Sequence, residues 1–155
     1  FLYVLDNQKQ KLVTVNEEIE FVKAYYYLLR ARYEQHLSLE INLPKNVFNT
    51  FIPPMTLQLL VENAVKHNKI SKEKPLLIYI SAQDNTHLLV SNSKTTTEKS
   101  ESFQIGLQNI ISRYQFFSTE KVVIRNESQF TVVLPVIKRP AKEEIAVTQT
   151  ALQFS

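Results

Sequence analysis

The stretch from Ile52 to Asn68, Ile-Pro-Pro-Met-Thr-Leu-Gln-Leu-Leu-Val-Glu-Asn-Ala-Val-Lys-His-Asn, limits what this chain can fold into more than any other. Pro53 and Pro54 stand where a helix can begin without losing a hydrogen bond. Leu57, Leu60, Val61 and Ala64 then follow the i, i+3, i+4, i+7 spacing of a buried stripe. At about 100° per residue, Thr56, Leu59, Asn63, Lys66 and His67 fall on a different face. An amide, a cation and an imidazole along one side of a half-buried helix suit a metal and phosphate oxygens, since Asn offers a neutral oxygen ligand and Lys a point charge. The same face is equally the solvated side of an ordinary amphipathic helix. Glu62, about 100° round from Asn63, either orients a ligand or is simply solvated.

A chain of 155 residues, 44% apolar and with 9 Phe and 7 Tyr, can bury one substantial core, so one domain is expected. Its 18 basic and 15 acidic residues leave a formal charge of +3, which implies no broad basic surface and hence no nucleic-acid partner. Cysteine is absent, so disulfides and thiolate metal sites are excluded. No run of apolar residues is long enough to cross a membrane. The chain opens on Phe1 rather than Met, which suggests a piece of something longer whose targeting information lies elsewhere. Gly106 is its single glycine, where average usage of about 7% would give roughly 11, so a glycine-rich phosphate loop is excluded.

Around the central helix the periodicity places further elements. Phe1 to Leu5 reads as the end of a truncated helix. A second helix, capped by Asn16 and carrying Glu17, Glu18 and Glu20 in its first turn, should run to His36. It has two apolar stripes, Ile19, Val22, Tyr26, Leu29 and Tyr33 beside Phe21, Tyr25 and Leu28, which form either two faces or one wide one. Strands are expected at Leu37 to Asn42, Leu76 to Ser81, His87 to Ser91, Lys121 to Arg125 and Phe130 to Leu134, with turns at Asp84-Asn85 and Asn126 to Ser128. Leu43 to Thr50 connects, Lys69 to Lys74 is a loop, and Leu107, Ile110, Ile111 and Tyr114 mark a third helix. Asn92 to Glu101 is too polar for a core element, and a polar loop of that length is functional or mobile. The tail from Lys138 has no strong period and is expected to be mobile or loosely helical.

Pro53 to Asn68 closely resembles the Asn-containing nucleotide-site helix of LytS-type sensor histidine kinases, whose catalytic domain has the Bergerat ATPase fold. The resemblance continues at Ile105-Gly106-Leu107-Gln108-Asn109-Ile110-Ile111-Ser112-Arg113-Tyr114, which is similar to that family's "GIGLKN…R" segment, and reaches the strand Phe130 to Pro135. It implies an α+β, two-layer sandwich: a mixed sheet of about five strands with about three helices on one face. Residues 16–137 would be the catalytic ATP-binding domain, 1–15 the remnant of a dimerisation linker and 138–155 a mobile tail.

By that resemblance Asn63 would bind the Mg²⁺ that bridges the phosphates of ATP, and Lys66 and His67 would face those phosphates. Gly106, Leu107 and Asn109 would line the nucleotide, and the polar loop would be its lid. Asn92 stands where the family has an adenine-reading Asp, and the glycines that follow it there are absent. Its carbonyl can still accept from an adenine N–H, but without the charge. Ser128 stands near a Thr that supports this carboxylate in the family, while Asn109 and Arg113 are otherwise surface polar groups. The phosphoacceptor histidine would lie upstream of residue 1, since His36, His67 and His87 stand in no such motif. The resemblance therefore implies a cytoplasmic domain of an inner-membrane kinase, homodimeric at full length, that passes phosphate to a response regulator. The alternative is a pseudokinase, an interaction module that binds nucleotide weakly or not at all. An ATP-hydrolysing relative would need a carboxylate one turn before Asn63, where Leu59 stands.

Overall fold

The computed structural model describes residues 11–95 and 101–138. In chain order these form β1 (Val13–Thr14), α1 (Val15–Tyr33), a 3₁₀ turn (Glu34–His36), β2 (Leu37–Asn42), α2 (Lys45–Phe48), β3 (Phe51–Ile52) and α3 (Thr56–Lys66). There follow β4 (Leu76–Gln83), β5 (His87–Ser93), α4 (Glu101–Phe117), β6 (Val123–Asn126) and β7 (Gln129–Pro135). The architecture is the expected α+β sandwich, with the helices on one face of a five-stranded mixed sheet.

The strand order is β2-β4-β5-β7-β6. Only β2 and β4 run parallel, Leu37 opposite Leu76 through Asn42 opposite Ser81. A parallel neighbour cannot be reached through a tight turn, so the chain crosses over the sheet, and α3 lies in that crossover. The alternating residues Leu76, Ile78 and Ile80, Leu88 and Val90, and Phe130, Val132 and Leu134 all enter one core with the buried stripe of α3, Leu57, Leu60, Val61 and Ala64. A small antiparallel ribbon pairs β1 with β3, and Phe51 and Ile137 exchange backbone hydrogen bonds of 2.7 and 2.8 Å beside it.

Several boundaries differ from the sequence reading. The cap of α1 is Thr14 rather than Asn16: its Oγ1 accepts the Glu17 N–H at 3.1 Å, because β1 delivers an extended residue right at the helix start. The helix ends at Tyr33, where Glu34 turns to positive φ, and not at His36. The central helix begins at Thr56, after the two prolines, because Met55 is in the left-handed region at φ 67° and breaks the helical run. Within Leu43 to Thr50 the chain makes α2, and β3 follows at once. Asn92 and Ser93 remain in β5 and Glu101 opens α4, so the polar loop is shorter than expected. Residues 96–100, the remnant Phe1 to Leu5 and the tail beyond Lys138 lie outside the described residues.

The two stripes of α1 separate only in part. Ile19 and Val22 are fully buried and Tyr26, Leu29 and Tyr33 pack partly against the core; in the second stripe Leu28 is 72% exposed and Phe21 38%, but Tyr25, on which Phe21 stacks, also packs partly against the core. Ile19→Ala is therefore expected to cost about 2–4 kcal/mol in urea unfolding and Leu28→Ala within about 0.5 kcal/mol. Equal losses would mean that α1 buries both stripes.

Candidate functional site

Asn63 lies in the second half of α3, and its Nδ2 is buried without a hydrogen-bond partner. A buried amide nitrogen left unpaired is costly, and such groups are few in folded proteins. Above it lies Gly106, inside α4, where an added Cβ would stand 2.5 Å from that same nitrogen. The single glycine thus has a definite task here, letting one helix lie directly on the carboxamide of another.

One turn on, Lys66 is exposed in the last turn of α3, and His67 closes the helix by donating its N–H to the Asn63 carbonyl at 3.0 Å. The His67 ring meets Phe103 edge-on at 5.5 Å, and Phe103 meets Phe130 likewise at 5.2 Å. Phe130 is the register partner of Asn92 on β5. By alternation with Leu88 and Val90, Asn92 belongs to the helix-facing side of the sheet. Its Nδ2 donates to the Ser93 carbonyl at 2.9 Å. Phe103 and Phe130 thus lead from His67 to the strand position opposite Asn92, while His67 is joined by its backbone to Asn63, on which Gly106 lies.

The remaining sequence candidates stand apart. Leu107 is a core side chain, so only its backbone can face a ligand. Asn109 is exposed on α4, and Ser128 is exposed in the turn between β6 and β7. The hydroxyls that meet across strands are Ser91 and Thr131, at 3.0 Å. Arg113 Nη1 donates to the Pro54 carbonyl at 2.8 Å, at the opposite end of α3 from His67. Glu62 accepts from Gln58 at 3.4 Å; burial raises the Tyr25 phenol on α1 first, and the charge of Glu62 raises it second.

Two residues escaped the sequence reading. Asn68 donates Nδ2 to the Ala64 carbonyl at 2.8 Å and accepts on Oδ1 from the Thr95 N–H and hydroxyl at 3.0 and 3.1 Å. It ties the end of the site helix to the chain that leaves β5. Its only signal was an Asn just past a helix end. Glu18 is the other: its Oε1 accepts the Leu57 N–H at 2.9 Å and its Oε2 the Met55 N–H at 3.1 Å. Val15, Glu18, Ile19 and Val22 share one buried stripe, and a carboxyl group in such a stripe needs a partner. Burial pushes the Glu18 carboxyl up from its ordinary value, while the N–H groups of Leu57, Met55 and Gln58 and the charge of Arg113 pull it back. His67 is held below the ordinary imidazole value by burial first and by Lys66 second.

Comparison with known proteins bears on the fold and on the sequence resemblance. No family model matches the chain. It is 29% identical over 156 residues to the sensor histidine kinase/phosphatase LytS of Staphylococcus aureus strain MRSA252, an alignment covering 84% of this chain and 26% of LytS. The chain therefore spans about a quarter of the length of such curated relatives. The catalytic domain of histidine kinase ThkA superposes with a TM-score of 0.56 at 15% identity, covering 84% of this chain and 97% of that one. Full-length ShkA in complex with AMPPNP gives 0.52 at 17% identity, over 84% and 32%. The fold is that of histidine kinase catalytic domains, and the sequence resembles LytS along most of its length.

Two outcomes follow from the site. Gly106→Ala gains about 1 kcal/mol of helix propensity but forces the carboxamide aside. Stability in urea is expected to stay within about 1 kcal/mol of wild type, while the Asn63 side-chain NH₂ resonances move. Unmoved resonances would mean that α4 does not lie on Asn63. The His67 ring should titrate below 6.5 by NMR, and Lys66→Met should raise it only in part, since burial is the larger cause. Because the unfolded chain takes up this proton first, the stability that the neutral ring contributes is present above pH 6.5 and is lost on acidification.

Proposed function

We propose that this chain is the catalytic ATP-binding domain of a LytS-type sensor histidine kinase, and that Asn63 is the centre of its nucleotide site. The observation that carries this reading is the Asn63 carboxamide, whose nitrogen is buried without a partner beneath the one glycine of the chain. Among the described residues no hydrogen bond holds that nitrogen, which leaves the amide oxygen for a ligand. A neutral amide oxygen suits Mg²⁺, which keeps much of its shell as water and phosphate oxygens, and the described residues contain no cluster of three His, Asp or Glu that would hold a cation unaided. Bound Mg²⁺ would neutralise phosphate charge.

The residues of this chain bind and orient. Lys66 supplies an exposed ammonium one turn from Asn63, and the His67 ring, kept largely neutral near pH 7, can accept or donate beside the phosphates. Asn92 faces the base with a carboxamide and no charge, so recognition of adenine there rests on a neutral hydrogen bond. Phosphoryl transfer is mainly positioning and charge neutralisation, and the domain needs no nucleophile of its own. In the full-length kinase the acceptor would be a histidine on an upstream dimerisation helix, with a response regulator next in line and the membrane reached through parts outside this chain. No helix among the described residues is long and apolar enough to cross a membrane. The domain proper would be residues 16–137.

The exposed Phe21, Tyr27 and Leu28 of α1 favour a second reading, an interaction module with little or no nucleotide binding. Calorimetric titration with Mg²⁺ and a non-hydrolysable ATP analogue separates the two. The kinase reading expects Mg²⁺-dependent binding with Kd between about 1 μM and 1 mM, weakened at least about tenfold by Asn63→Ala. No binding by the folded chain would support the interaction module.

A further inference from the structure

The N-terminus of α3 has no cap of its own. Met55 occupies the capping position with φ 67° and offers no side-chain acceptor to the free N–H groups of the first turn. The acceptor comes instead from another helix, since the two oxygens of Glu18 on α1 take the N–H groups of Met55 and Leu57 separately. Glu18 is only 8% exposed, although it sits in the first turn of its helix beside the exposed Glu17. From the other side Arg113 of α4 donates to the Pro54 carbonyl. Arg113 lies seven residues beyond Gly106, two turns along the same face of α4, so that α4 touches α3 at both ends: Arg113 at Pro54 and Gly106 at Asn63.

We propose that Glu18 is a positioning residue for the nucleotide site: it fixes α3 to α1, so that the placement of α1 sets that of Asn63. The physical basis is stiffness. An α-helix transmits a displacement of its first turn along its axis, and Asn63 lies two turns downstream of the clamped N–H groups, about 10 Å along the helix. The clamp is charge-assisted and two-pronged, which fixes direction as well as distance. α1 also carries the open Phe21 and Leu28 side chains, so a partner seated on that face would have a mechanical route to the site.

The consequence for nucleotide binding rests on the proposed function, whereas the clamp itself does not, and the experiment separates them. The 155-residue chain is compared with Glu18→Gln, with Glu17→Gln as a charge control, and with Val47→Ala, a buried substitution on α2 chosen to lower Tm by a similar amount. Each is titrated with Mg²⁺ and a non-hydrolysable ATP analogue well below its Tm, and the Asn63 side-chain NH₂ resonances are recorded without nucleotide. Glu18→Gln is expected to weaken binding about tenfold and to move those resonances, while Val47→Ala and Glu17→Gln change affinity by no more than about twofold and leave them in place. If Glu18→Gln behaves as Val47→Ala does, Glu18 is only a stabilising cap and the proposal is overturned. Should wild type bind no nucleotide, the functional reading fails, and the resonances alone decide the clamp: moved in Glu18→Gln sustains it, unmoved overturns it. If Glu18→Gln does not fold, Glu18→Asp, one methylene shorter, is read by the same two measurements.

Discussion

Hydrogen bonding at the first turn of α3 is the constraint on which the rest of the site depends. A helix that begins after a left-handed residue leaves its leading N–H groups without acceptors, and burying them unpaired would cost about 1–3 kcal/mol each. The fold answers with a carboxyl group brought from 37 and 39 residues upstream. That solution ties three helices together, since the same corner receives Arg113 from α4. With both ends of α3 fixed, at Glu18 and at the Asn68 to Thr95 link, the carboxamide of Asn63 sits at a defined depth beneath Gly106.

Inside this frame one polar atom of the site is left unpaired. The Asn63 nitrogen is left unpaired where almost every other buried polar group is satisfied; among the described residues only the Tyr114 hydroxyl shares that condition. Desolvated polar groups without partners are the kind of cost that a fold retains where a ligand completes the set. Beside it stand an exposed ammonium, a neutral imidazole and an aromatic bridge from His67 through Phe103 to Phe130. The arrangement suits a ligand with an anionic end and a flat apolar end. Asn92, opposite Phe130 in register, adds a carboxamide without charge near that aromatic end.

Much of this was legible in the sequence because it is periodic. Alternation in Leu76 to Ile80 and Phe130 to Leu134 announced the sheet, and the stripe from Leu57 to Ala64 announced the helix that covers it. Asn63, Lys66 and His67 could be grouped because helical spacing alone puts them together. What escaped notice is non-periodic and tertiary. Thr14 caps α1 only because a two-residue ribbon ends there, and such a ribbon is too short to show alternation. Glu18 looked like an ordinary first-turn acid, and its place in a buried stripe was the one sign of a distant partner. Gly106 stood out as the single glycine, yet only the packing of α4 shows that it makes room for Asn63. The aromatic bridge joins residues from α4 and β7 to the end of α3, and no local pattern connects them.

The proposed placement of the nucleotide on α3 is tested by a crystal structure of the chain with Mg²⁺ and a non-hydrolysable ATP analogue. Asn63 Oδ1 is expected within about 2.1 Å of the cation, with the phosphates toward Lys66 and His67 and the base against Asn92. A bound nucleotide elsewhere on the domain, with the Asn63 nitrogen still buried beneath Gly106, would contradict that placement.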